Sequence, residues 1–117
     1  MQYSLEADVL APSRARSLLP PGRHDACIVV SELVTNAVRH CAGSTIDLEI
    51  DLAGEVVRIA VTQHSAVPAP RGLTASTPSW TQESGRGLHL VDRLAARWGS
   101  EPLPDGGLRV WADVAAG

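Results

Sequence analysis

Three residues spaced by four, Glu32, Asn36 and His40, stand in the stretch ACIVVSELVTNAVRHC, residues 26–41. On an α-helix four residues turn about 400°, so each lies about 40° around the axis from the one before. One helix face then carries a carboxylate, a carboxamide and an imidazole in a row. That set suits a divalent cation and a nucleotide. An Asn side-chain oxygen is a fair ligand for Mg²⁺, an ion that keeps several waters and shares phosphate oxygens. A Glu one turn earlier can take a proton from a water or hydroxyl attacking a γ-phosphate. The alternative is a solvated helix face, and the spacing alone leaves both open.

A second constellation is Gly85-Arg86-Gly87 at the start of an apolar-periodic segment. Glycines there let backbone N–H groups approach a phosphate, and the helix dipole adds to the attraction. Arg86 can add a charge-assisted contact. A lone GxG is by itself more often only a tight turn into a helix. Thr62-Gln63-His64-Ser65, at the end of a predicted strand, carries no chemistry by itself.

The elements that must position these residues follow from periodicity. Tyr3, Leu5, Ala7 and Val9 alternate loosely and predict an edge strand over residues 2–9. A short helix over 13–19 follows Pro12, and Pro20, Pro21 and Gly22 end it. The main helix begins at His24 or Asp25, whose carboxylate complements a helix N-terminus, and runs to Cys41. Its apolar residues Ile28, Val29, Leu33, Val34 and Ala37 are expected opposite the polar stripe, against a sheet. TIDLEIDL (45–52) alternates strictly and predicts a strand with one face on a core; Ala53, Gly54 and Glu55 connect it to a strand over 56–62. Residues 63–84 hold Pro68, Gly72, Pro70 and Pro78 and little periodicity. A loop of about 20 residues in a compact domain is more often functional than idle, here a lid, with Trp80 to pin it. A helix over 84–97 carries Leu88, Val91, Leu94 and Ala95 on its apolar face, and strands over 100–103 and 108–114 close the chain. The order predicts an α+β two-layer sandwich, with a mixed, mostly antiparallel sheet and helices packed on one face.

Composition narrows the classes. The 117 residues predict one domain, 1–117, and the absence of Phe leaves Val, Leu, Ile and Ala to fill the core. A net charge of -3 and scattered arginines argue against a direct nucleic-acid interface. Cys27 and Cys41 lie about 21 Å apart along one helix, beyond the roughly 7 Å that a disulfide spans. They are expected as free thiols in a reducing compartment. No secretory signal and no apolar run near ~20 residues is present in the sequence, so a cytoplasmic protein with no membrane segment is expected.

Taken together, ELVTNAVRH, a hairpin, a long loop, SGRGLHLV and a closing GG-x-x-V-W strand resemble the Bergerat-type (GHKL) ATP-binding fold of gyrase, Hsp90, histidine kinases and MutL. The likeness is nearer to its small bacterial branch, the anti-sigma factor serine kinases and their stand-alone relatives. It is strong over residues 25–41 and 84–111 and vague before Pro20. The resemblance implies ATP and Mg²⁺ as cofactors, with Asn36 as the Mg²⁺-binding residue and Glu32 as the catalytic base. It further implies that Gly85 and Gly87, within Ser84-Gly85-Arg86-Gly87-Leu88, cradle the phosphates, and that Arg39 and His40 lie near the phosphate and sugar side. The partners implied are a sigma factor, or an antagonist protein phosphorylated on serine, with a homodimer allowed. The sequence departs from the family where an Asp usually accepts from the adenine amino group: Gln63 stands there, followed by His64 and Ser65. Gln keeps an acceptor and adds a donor but loses the charge. Arg109 stands where the final strand often carries a Thr or Ser on the adenine side.

Two functions fit these residues. One is an ATP-dependent serine kinase and anti-sigma factor, supported by Glu32, Asn36, Gly85 and Gly87. The other is a nucleotide-weak or nucleotide-free protein-binding regulator on the same fold, supported by Gln63 and Arg109. The catalytic half of a sensor histidine kinase fits poorly, since no dimerising helix pair precedes the domain in this sequence.

Overall fold

A computed structural model describes residues 1–40, 45–64, 85–104 and 106–115, with the backbone alone at residues 40 and 85–88. The elements run β1 (Gln2–Glu6), α1 (Ala11–Ser17), α2 (His24–His40), β2 (Thr45–Ala53), β3 (Val56–Gln63), α3 (Gly85–Leu94), β4 (Arg97–Pro102) and β5 (Leu108–Val114). The five strands form one sheet in the order β1-β2-β3-β5-β4. Each of the four described pairings is antiparallel, so the parallel component of the expected mixed sheet is not among them. The helices cover one face, which is the α+β two-layer arrangement.

Strand alternation decides which face is the core. Ile46, Leu48 and Ile50 of β2, Val57, Ile59 and Val61 of β3, and Val110, Ala112 and Val114 of β5 are all buried. They join Val29, Val30, Leu33 and Val34 of α2 in one cluster, to which α1 adds Ala11 and Ala15 and α3 adds Val91. A period of two along each strand puts all of these on the helix side. Strands β2 and β3 are joined by a two-residue loop, Gly54-Glu55, between paired Ala53 and Val56. Gly54 has φ +64, the left-handed first position that favours glycine in such tight hairpins.

Several boundaries differ from the sequence expectation: β1 ends at Glu6 rather than at residue 9 and α1 at Ser17 rather than at residue 19, and two further differences have a visible cause. Helix α1 begins at Ala11, two residues early, because Asp8 organises the turn before it: its carboxylate accepts the Leu10 N–H at 2.9 Å and pairs with Arg14 at 3.2 Å. Helix α3 ends at Leu94 rather than at Arg97. Arg97 instead opens β4, where it lies opposite Asp113 in register and donates to its carboxylate at 2.9 Å. Sheet pairing has overridden the helical pattern. Trp98 then ties the strand back to α3 by donating to Asp92 at 2.9 Å.

The sheet face away from the helices is held by charge. Asp113 is only 5% exposed and accepts from Arg58 at 2.6 and 2.8 Å as well as from Arg97. The Arg58 guanidinium also lies 5.1 Å from the centroid of the Trp111 ring. Gly99 makes room for that ring, since a Cβ there would meet the indole at 3.1 Å. The Arg58 hydrogen bonds hold the Asp113 carboxyl at about 2; burial opposes them, and Arg97 assists. This one carboxylate ties β3, β5 and β4 together.

Because the folded-state value lies below the unfolded one, the contribution of Asp113 is complete above about pH 4 and is lost as pH falls through about 2. Replacing Asp113 with Asn is expected to lower unfolding free energy by roughly 1–3 kcal/mol at pH 7, discounted because both arginines are partly solvated. Denaturant titrations of both proteins at pH 7 and near pH 2 check this: the gap should close in acid.

Candidate functional site

Helix pitch carries the polar stripe of α2 into the seam between helix and sheet. At about 40° per four-residue step, Glu32 lies just outside the buried arc and Asn36 just inside it. Glu32 is half-buried, while Asn36 is 6% exposed, flanked by buried Leu33 and Ala37. The expectation that the stripe faces away from the apolar residues is therefore corrected at Asn36. Ile28, expected on the sheet side, is only half-buried. Val30, unremarked in the sequence, takes a core place.

Asn36 meets the sheet at a narrow cavity of about 10 Å³, lined by Leu33, Asn36, Ala37, Val61, Gln63, Leu108 and Val110. That is room for about one water. The structure thus brings Asn36 and Gln63, far apart in sequence, to one spot at the end of β3. Gln63 continues the inward-facing series Val57, Ile59, Val61, so strand parity places it there. Among the described residues the Asn36 Nδ2 is the one buried side-chain polar atom without a hydrogen-bond partner. A buried donor left unpaired costs about 1–3 kcal/mol, which a bound acceptor would relieve.

Arg109 does not stand on this side. It follows β5 parity onto the face away from the helices, opposite Thr62, and pairs with Glu101 at 3.1 Å and Glu49 at 3.6 Å. Leu108 and Val110 take the cavity positions instead. The alternation of Val110 against Arg109 is visible in the sequence and is the signal that gives the right face. His64, next to Gln63, bonds Asp47 of β2 at 2.9 Å.

The remaining candidates are placed less closely. Arg39 is exposed near the end of α2, on nearly the same line as Glu32 two turns before it. His40 is the last residue of α2. Gly85, Arg86, Gly87 and Leu88 form the first turn of α3, so the backbone donors of a helix N-terminus belong to the glycine stretch itself. Helix α3 packs against α2. Ser84, Ser65, Trp80 and the expected lid lie outside the described residues, as does Cys41; Cys27 is a free, half-buried thiol.

The sequence model of the histidine kinase-like ATPase domain matches residues 5–112, and the chain belongs to that family. No curated protein matches the chain by sequence. Membership implies ATP as the ligand, usually with Mg²⁺. The residues present fit this pair. No cluster of three or more His, Cys, Asp or Glu stands among the described residues, as an all-protein metal cage would need. Mg²⁺ asks for less, one or two protein oxygens completed by water and phosphate. The side-chain oxygen of Asn36 is enough for that demand, and its unmatched Nδ2, a donor, would suit a phosphate oxygen beside the ion. Among the described residues no helix is long and apolar enough to cross a membrane.

Replacing Asn36 with the near-isosteric Leu removes the unpaired donor. The ligand-free variant should be at least as stable as the parent, by up to about 2 kcal/mol in denaturant titration. A clear loss of stability would mean that Nδ2 is satisfied after all.

Proposed function

We propose that this chain is a regulatory protein that binds Mg·ATP beside α2, at the end of β3 and the start of α3. Its likeness to anti-sigma factor serine kinases makes a serine of an antagonist protein the substrate and a sigma factor the second partner, in the cytoplasm. The observation that carries the nucleotide reading is Asn36, buried with an unpaired amide nitrogen beside Gln63. Burial of an unmatched carboxamide is costly unless a ligand uses it.

Each residue has a role in this scheme. Asn36 gives its side-chain oxygen to Mg²⁺. The first-turn amides of α3, at Gly85 to Leu88, with Ser84 before them, face the phosphates, where the helix dipole favours negative charge. Arg39, Arg86 and His40 add positive or donor groups around them. Glu32 takes the proton of the attacking serine hydroxyl as that oxygen bonds to the γ-phosphorus and ADP leaves. Gln63 meets the adenine edge.

A second reading, a protein-binding regulator with little use for nucleotide, is favoured by the cavity beside Gln63, which has room for about one water and not for a base. Titration calorimetry with Mg·ATP separates the two. Micromolar-range binding is expected, and no heat at millimolar nucleotide would leave the second reading. Replacing Glu32 with Gln should abolish phosphoryl transfer to an antagonist protein while Mg·ATP affinity stays within about twofold. Transfer that survives the change would remove Glu32 from the role of base.

A further inference from the structure

Strand β4 comes last in the sheet, and among the described residues no strand pairs with its outer side. One bond shows which way its backbone groups point. Leu103, which continues the register of Pro102 opposite Leu108, donates its N–H to the Gly107 carbonyl at 2.9 Å. Antiparallel strands alternate bonded and non-bonded pairs, so Glu101, Gly99 and Arg97 also bond inward to β5. Trp98 and Ser100 therefore turn both N–H and C=O outward. Pro102, with no N–H to leave unpaired, takes the next outward place.

Such an edge is a template for another strand, and charges commonly guard it. The charges of β4 are instead arranged so that the strand matches itself. Residues 97–101 read Arg-Trp-Gly-Ser-Glu. Laid antiparallel on a second copy about Gly99, Arg97 of each copy meets Glu101 of the other, and Trp98 meets Ser100. The outward N–H and C=O groups of Trp98 and Ser100 then bond each other, two bonds for each symmetry-related pair. A slip by two residues in either direction loses the direct Arg97–Glu101 contacts. Both side chains can take them. Arg97 is 70% exposed and gives only Nη2 to Asp113, and Glu101 is 60% exposed and gives only Oε1 to Arg109.

Gly99 suits the axis. A non-bonded pair brings the two Cα atoms within about 4.5 Å, and glycine puts no side chain between them. On the face away from the helices the Trp111 indole already lies over the place of a Gly99 side chain. The two indoles thus flank the axis, with an ion pair beyond each. The other edge strand, β1, has no such match: about Ser4 it sets Gln2 against Glu6 and pairs no opposite charges.

We propose that this chain forms a symmetric dimer by antiparallel pairing of β4 with β4 of a second copy, centred on Gly99, so that one sheet runs through both. The inference does not depend on the nucleotide reading. A six-residue edge buries less surface than a standard interface, so the dimer is weak and concentration-dependent.

Sedimentation velocity on the full chain across a concentration series tests this, with amide hydrogen exchange on the same samples. A monomer–dimer equilibrium in the micromolar range is expected, and the Trp98 and Ser100 amides should gain protection as concentration rises. Glu101→Lys sets like charges opposite each other and should weaken dimerisation about tenfold or more. Ser100→Pro removes an outward N–H without touching the ladder to β5, and should weaken it similarly. The two variants are independent, so poor folding of one leaves the other as the test. A chain that stays monomeric at millimolar concentration overturns the inference. A dimer in which those two amides exchange as fast as in the monomer, or whose strength neither variant changes, overturns it as well.

Discussion

A helix with about 3.6 residues per turn cannot keep residues spaced by four on one face, and the site depends on that mismatch. The step from Glu32 to Asn36 rotates the polar stripe toward the sheet. Glu32 stays at the margin, half-buried. Asn36, one step on, is carried into the seam and loses water from its amide nitrogen. On the proposed reading, the first would be the base and the second the cation ligand. One geometric drift delivers both from a single helix.

The drift is useful only if the sheet beneath α2 stays in place. The buried aliphatic residues of β2, β3 and β5 supply the attraction, in a chain without Phe. Specific register comes from the other face. There Asp113 is gripped by Arg58 from β3 and Arg97 from β4, and Trp111 spans Ala60 and Gly99 in the same row of paired residues. Fixing the relative positions of β3 and β5 also fixes Gln63 against Leu108, its partner in register. Thus the charged face sets the geometry and the apolar face presents it. Gln63 and His64 show how sharply the faces divide: the first lines the cavity, while the second bonds Asp47.

Much of this was legible in the residues. Strict alternation in TIDLEIDL gave β2 within a residue, and Gly54 placed the hairpin turn. The ELVTNAVRH string lies on α2 as expected, and the family match agrees with the coarser part of the resemblance, the histidine kinase-like ATPase domain. What the sequence hid was mostly a matter of pairing. The place of Arg97 depends on Asp113, sixteen residues on, and no local pattern announces that contact. Asn36 was expected on the wet side because a stripe spaced by four looks straight when written as letters. Arg109 was assigned to the pocket by likeness to a family position, although alternation with Val110 pointed it away.

The Asn36 side chain is where a nucleotide site and an idle core carboxamide differ. Its carboxamide ¹H and ¹⁵N resonances, assigned by comparison with the Asn36→Leu protein, can be followed by NMR as Mg·ATP is added. If Asn36 is the buried contact for the nucleotide and its ion, these signals shift with saturation at the same concentration as the calorimetric binding. Signals unmoved at saturating Mg·ATP would contradict the account, and would leave the carboxamide as an unpaired core residue with no part in binding.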